Sequence, residues 1–224
     1  MRYDRIFVIG NGPSLKHQDL NLLKGEFTIC SNAFFHAYSD LSWRPTILTI
    51  EDPLPAIDNA EFFNNDTDSI KIIPHDLRDI IRSDHYIKFR RMWWEGGPPE
   101  WPLFSDNVWN VAYWGGTVSY LALQIAATFK PKEVILIGTD LTYEVPESAH
   151  VSGAIVTSTE DDPNHFHPDY FGAGKRWHLP DVDRMQRALT KAYHELSSRG
   201  IVLMNATEGG NLKVVPRVSF EEVF

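Results

Sequence analysis

The sequence predicts an α/β protein with an open, mostly parallel sheet, helices on both faces and one long lid segment. Two short runs, Ile6-Phe7-Val8-Ile9 and Val134-Ile135-Leu136-Ile137, are apolar throughout, as strands buried on both faces are. Each leaves through a glycine-bearing polar turn, Gly10-Asn11-Gly12-Pro13-Ser14 in the first and Gly138-Thr139-Asp140 in the second. Helical spacing recurs between and after them, with Val118, Leu121, Ala122, Ile125 and Phe129 in one stretch and Met185, Ala188, Leu189, Ala192 and Leu196 in another. Repeated strand–turn–helix units make this a Rossmann-like arrangement, and 224 residues suit a single domain of that kind.

Taken in order, the first strand is followed by a predicted helix over Leu15 to Leu23. Strands follow at Glu26–Cys30, ending in Ser31-Asn32, at Thr46–Ile50, ending in Glu51-Asp52-Pro53, and at Ser69–Pro74. Residues 75–114 read as irregular and aromatic. They hold the basic run Lys88-Phe89-Arg90-Arg91, the breaker Gly96-Gly97-Pro98-Pro99 and five of the seven tryptophans, between Trp93 and Trp114. The basic run is either a phosphate contact or a solvated face. Gly115-Gly116-Thr117 opens a helix that stops before Pro131, and Leu141 to Pro180 form the lid. A helix from Asp183 to Arg199, a strand at Ile201–Met204 and the exit Asn205-Ala206-Thr207-Glu208-Gly209-Gly210 complete the chain.

The balance of 30 acidic against 21 basic residues, net −9, argues against a long nucleic acid as partner. A small nucleotide needs only a few local donors and stays open. The single cysteine, Cys30, excludes an internal disulfide. No apolar run is long enough to span a bilayer, and Met1-Arg2-Tyr3-Asp4 leads straight into a strand without a signal-peptide core. A cytoplasmic location is therefore expected, and a homo-oligomer is compatible with everything above.

Polar side chains gather at the carboxyl ends of several strands, the edge where open α/β sheets bind ligands. At the first, Gly10, Asn11, Gly12, Pro13 and Ser14 read as a backbone cradle for a phosphate, or else as an ordinary tight turn. Leu15 stands where a dinucleotide fingerprint has its third glycine, and no Walker lysine follows. Asn32, Asp52 and Asp140 are candidates for the nucleoside, or for Mg²⁺ on a nucleotide diphosphate or triphosphate, the alternative being turn capping. Thr117 opens a second helix N-terminus suited to an anion.

His178 is the candidate general base, placed at the end of the lid beside Trp177 and the cations Lys175 and Arg176, which would keep its imidazole neutral. The alternative is a histidine satisfied by nearby backbone. Tyr143 and Tyr170 could assist a leaving group or simply pack. His165, His167 and Asp169 alternate along the chain, either as metal ligands or as residues that order the lid.

These residues resemble a known family. The loop Ile9-Gly10-Asn11-Gly12-Pro13-Ser14-Leu15, the segment from Arg44-Pro45 to Glu51-Asp52-Pro53 and the exit Gly138-Thr139-Asp140 look like the MptE-like Rossmann family. So do Asp162-Pro163-Asn164-His165-Phe166-His167-Pro168-Asp169-Tyr170-Phe171-Gly172, Lys175-Arg176-Trp177-His178 and the C-terminal Asn205–Gly210 motif. That family takes its name from an archaeal 6-hydroxymethylpterin diphosphokinase and includes the core of flagellin-modifying glycosyltransferases. The skeleton is also similar to bacterial CMP-sialic acid-dependent sialyltransferases, in which the position of His178 carries the general base.

The resemblance implies a nucleotide-sugar-dependent glycosyltransferase that moves a sugar to a hydroxyl of a glycan or small acceptor in surface-glycan synthesis. Diphosphate transfer from Mg²⁺-ATP and a non-catalytic nucleotide-binding module are the alternatives. Two departures stand out. Trp114 takes the place of a sialyltransferase arginine, and the acidic pair Glu51-Asp52 falls where those enzymes have an asparagine. Such a pair would repel a phosphate unless something intervenes.

Overall fold

The computed structural model of the chain describes residues 4–91 and 102–224. In chain order its regular elements begin with β1 (Arg5–Ile9), β2 (Thr28–Ser31), β3 (Ile47–Thr49), helices α1 (Pro53–Asp58) and α2 (Ala60–Asn65) and β4 (Ile70–Pro74). They continue with β5 (His85–Ile87), two short strands β6 (Phe89–Arg90) and β7 (Ala112–Tyr113), helix α3 (Val118–Thr128) and β8 (Glu133–Ile137). The lid holds β9 (His150–Ser152), β10 (Ile155–Thr157) and β11 (Arg176–His178), and the chain closes with α4 (Val182–Ser198) and β12 (Val202–Asn205).

Seven strands form the central sheet in the order β12-β8-β1-β2-β3-β4-β5, and every neighbouring pair is parallel. Strand alternation sends side chains to two cores. Ile6 and Val8 join α3 and α4 on one face, whereas Phe7 and Ile9 pack with Leu15, Phe34, Trp43 and Phe63 on the other. The sheet is thus covered on both sides, which explains the unbroken apolar strands. Among the described residues no helix is long and apolar enough to cross a membrane.

The topology places the ligand edge. From β1 the chain moves outward through β2 to β5, then returns through α3 to add β8 on the opposite side of β1. The carboxyl ends of β1 and β8 therefore flank a topological switch point, where a crevice opens above the sheet. Gly10 and Gly138 stand at its floor, and the Gly10 N–H donates to the Ile137 carbonyl at 2.8 Å.

Several expectations need correction. The helix expected over Leu15 to Leu23 is two 3₁₀ turns, Pro13–His17 and Leu20–Leu23. Gln18 between them is extended, its amide donates to the Ala206 carbonyl at 2.7 Å, and Asp19 caps the second turn. The irregular segment 75–114 contains the edge strand β5, too short and polar to show a period. The basic run supplies β6, and Gly96-Gly97-Pro98-Pro99 with Trp93, Trp94 and Trp101 lie outside the described residues. The lid contains a three-stranded antiparallel sheet, β11-β10-β9. α1 was legible after the fact, because Asp52 is its N-cap and Pro53 its first residue.

Candidate functional site

A cleft at the switch point is lined from four of the strand exits that the sequence marks, the exit after β12 at Asn205–Gly210 lying outside its wall. Gly10, Asn11 and Gly12 come from β1, Asn32 from β2, Glu51 and Asp52 from β3, and Asp140 from β8. Thr117 and Ser119 enter from the start of α3, and Tyr143, Tyr170 and His178 from the lid. Pro13 and Ser14 are not in its wall. The close approach of the first two turns demands glycine: a Cβ on Gly10 would stand 2.3 Å from the Gly138 oxygen, and one on Gly12 1.8 Å from Asp140 Oδ2.

The amides of the first loop are largely engaged within the protein. The Gly12 N–H donates to Gly138 O at 2.9 Å and the Leu15 N–H to Gly12 O at 3.2 Å. The Ser14 N–H donates to Asp140 Oδ1 at 3.2 Å, and the Ser14 hydroxyl to Asp140 Oδ2 at 2.8 Å. With Pro13 lacking an N–H, most of this loop's donors are satisfied inside the protein. Asp140 thus staples the β1 and β8 turns together. Burial raises its pKa above the ordinary aspartate value, against the two Ser14 hydrogen bonds, which lower it.

His178 ends β11 with its ring turned to the rim of β3. Trp177 before it points the other way, into the lid, stacked on Phe171 with its indole N–H on Ser158 Oγ at 3.0 Å. His178 Nδ1 lies 2.8 Å from Asp52 Oδ2. The other Asp52 oxygen, Oδ1, accepts the Leu54 N–H at 2.9 Å as the α1 cap, so the carboxylate is fixed by the helix it starts. Nδ1–H donating to that carboxylate leaves Nε2 as the nitrogen free to take a proton. The electrostatic neighbour of His178 is therefore an acid, contrary to the expectation of flanking cations, and Arg176 turns instead to Asp58 at 3.7 Å. The same bond ties the Asp52 carboxylate to the lid.

Glu51, one residue earlier, is only 5% exposed. Trp114 lines the second lobe of the cleft beside it, and Glu51 Oε2 has no partner among the described residues. Three further buried atoms of the cleft, Asn11 Oδ1, Asn32 Oδ1 and Thr139 Oγ1, share that state. Buried polar groups are normally paired, and unpaired ones gathered in one cleft mark where a ligand supplies the partner. Asn11 is held by donating to the Ser31 carbonyl at 3.1 Å. Asn32 sits in the left-handed region at φ 51°, a conformation asparagine tolerates.

The lid histidines do not share a ligand. His165 lies 2.7 Å from Asp162 through Nδ1 and stacks on Tyr170 at 3.9 Å. His167 stacks on His36 of the neighbouring turn at 4.4 Å. Among the described residues no three His, Cys, Asp or Glu side chains group as a metal site. Tyr170 is buried beside Asn32 in the cleft wall, with burial raising its pKa. Tyr143 is 38% exposed at the mouth. Phe166 N–H donates to Asn11 O at 3.0 Å, tying the lid to the β1 turn.

Thr117 caps α3, its Oγ1 accepting the Ser119 N–H at 3.4 Å. The Tyr120 N–H donates to the Thr117 carbonyl at 2.9 Å, and Gly116, Thr117 and Val118, at the very start of the helix, line the cleft. A second lobe continues past Asp52 and His178, sharing both residues and adding Trp114, Arg91 and Arg184. Arg91, the end of the basic run, ion-pairs with Asp76 and donates to the Glu51 carbonyl. Sequence reading did not find that contact, nor the pairing of Asp52 with His178 or of Asp162 with His165, because each joins separate elements.

A family model described as 6-hydroxymethylpterin diphosphokinase MptE-like matches residues 1–146. The chain belongs to the MptE-like family. The match in this MptE-like protein spans β1 to β8 and ends at the start of the lid, so it includes Gly10, Asp52, Thr117 and Asp140 but not His178. A search of curated proteins gave no match.

Proposed function

We propose that this MptE-like protein is a transferase that moves a group from a nucleotide donor to a hydroxyl acceptor. The observation that carries the reading is the His178–Asp52 pair on the wall of the switch-point cleft. The nucleotide lies in the first lobe, its phosphate toward the N-terminus of α3 and its other polar groups on Asn11, Asn32 and Thr139. The acceptor enters by the second lobe, with His178 at the junction. There Nε2 takes the proton of the attacking hydroxyl while Asp52 fixes the ring. Tyr143 stands at the mouth, within the same wall as the departing phosphate.

A nucleotide-sugar donor is the preferred version. Asp52 and Asp140, the carboxylates that a Mg²⁺-triphosphate would use, are engaged with His178 and Ser14. The second version, diphosphate transfer from Mg²⁺-ATP, draws its support from the description of the matching family. Thermal-shift titration with CMP, CDP, UDP, GDP and ATP, each with Mg²⁺ or EDTA, separates the two. A Mg²⁺-independent rise with a nucleotide monophosphate or diphosphate supports sugar transfer. A rise with ATP that needs Mg²⁺ supports the kinase. No rise with any of them counts against both, and a tight binder without turnover points to a non-catalytic module.

A further inference from the structure

The acidic exit of β3 poses a physical problem for the function above, since Glu51 and Asp52 both line a cleft meant to hold an anion. The structure resolves it by giving the two carboxyl groups different surroundings. Asp52 is on the rim, paired with His178 and capping α1. Glu51 is buried, and among the described residues no cation ion-pairs with its carboxyl: the guanidinium of Arg91 donates to the Glu51 main-chain oxygen and is ion-paired with Asp76. A carboxylate taken out of water without a counterion gives up its charge by holding a proton.

We propose that Glu51 serves the cleft as a neutral carboxylic acid whose unpartnered Oε2 donates a hydrogen bond to a phosphate oxygen of the bound nucleotide. Resting on the nucleotide reading of the cleft, this names a specificity residue for the ligand's phosphate. It also turns the acidic pair from an obstacle into a donor. Trp114 lines the second lobe with Glu51, and Gly116, which lines both lobes, lies two residues beyond Trp114 at the start of α3. The helix amides and Oε2 thus approach the phosphate from two elements.

The electrostatics agree with the geometry. Burial pushes the Glu51 pKa up to about 8, opposed by Arg91 and Trp114 and reinforced by Asp52 and Asp76. The other charged groups around it are His178 and Arg184, which line the second lobe with it. Above that pH Glu51 ionises and becomes a buried negative charge facing the phosphate.

The test is equilibrium binding of CMP and ADP, with cytidine and adenosine as phosphate-free controls, between about pH 6 and pH 10. Wild-type affinity for the nucleotides is expected to be level near neutrality and to fall about tenfold per pH unit above the Glu51 pKa, while the nucleosides show no such fall. Calorimetry in buffers of different ionisation enthalpy shows proton uptake on CMP or ADP binding near that pH. Glu51→Gln, a permanently neutral donor, loses the alkaline fall, and Glu51→Ala weakens nucleotide binding about tenfold at neutral pH. A nucleotide affinity independent of pH, the same fall in Glu51→Gln, or the same fall with nucleosides overturns the proposal.

Failure of all four probes to bind overturns the cleft reading and the ligand assignment together. The proton itself is read separately, from unfolding of wild type and Glu51→Gln. The native state holds a proton that the unfolded chain releases between the ordinary glutamate pKa of 4.5 and about 8. Wild-type stability must therefore fall relative to Glu51→Gln as pH rises through that window. Parallel curves mean that Glu51 is ionised.

Discussion

His178 and Asp52 are 126 residues apart in the chain, yet Nδ1 and Oδ2 meet at 2.8 Å. One arrives on the last strand of the lid and the other on the first helix after β3. The Asp52 carboxylate thus joins the lid sheet and the start of α1 through one side chain. His178→Ala and Asp52→Asn are both expected to lower kcat by about 10²–10⁴-fold with a smaller change in KM, measured on the donor that the nucleotide screen identifies. Asp52→Ala should also cost about 1 kcal/mol of stability in urea unfolding, because it removes the α1 cap as well.

Ser14 offers the opposite outcome. Its hydroxyl and N–H both meet the buried Asp140 carboxyl. Ser14→Ala is expected to destabilise the fold by about 1–3 kcal/mol by leaving a buried acceptor short of a donor. Its effect on nucleotide affinity should be small, since Ser14 lies outside the cleft wall. Chemical unfolding and a binding titration on the same variant check both halves.

Gly12→Ala tests the packing of the two turns. Its Cβ would lie 1.8 Å from Asp140 Oδ2, a side chain that Ser14 pins in place. A loss of about 1–3 kcal/mol is expected from that overlap, read by urea unfolding, together with weaker nucleotide binding as the cleft floor shifts.

Thr117→Val removes the cap oxygen of α3 while keeping its shape. The expected cost is about 1 kcal/mol of stability. Loss of order at this helix start should weaken CMP more than cytidine in a titration, because only the former presents a phosphate there.

The lid carries an acid-sensitive contact. His36 stacks on His167 at 4.4 Å, and burial, with His167 and Lys175, lowers the His36 pKa below its ordinary value of 6.5, against Asp169. The unfolded chain then binds a proton that the native state resists, so stability is present above 6.5 and is lost as pH falls through the folded value. His36→Phe should flatten this acid limb relative to wild type in thermal unfolding, without moving the curve above pH 7.

How much of this was legible follows from physics that acts locally. The runs at Ile6–Ile9 and Val134–Ile137, the helices around Leu121 and Leu189 and the polar strand exits showed themselves through period and turn chemistry. They located the cleft and most of its wall. β5 and the lid strands did not show, because His85-Tyr86-Ile87 and His150-Val151-Ser152 are short and largely exposed and depend on pairing with distant chain. The loop after β1 looked like a phosphate cradle because glycines there are needed in any case. Only the fold reveals that Gly138, Asp140 and Gly12 accept its amides. Likewise Glu51 and Asp52 are neighbours in sequence, and nothing local says that one is buried and the other paired.

The most direct test of the account is a crystal structure of the protein with a bound nucleotide, CMP or ADP. The account predicts the phosphate at the start of α3, within hydrogen-bond reach of the Thr117–Ser119 backbone, with His178 still on Asp52 and its Nε2 facing the donor. A nucleotide bound away from the ends of β1 and β8, or a His178 ring turned out of the cleft when it is filled, would contradict it.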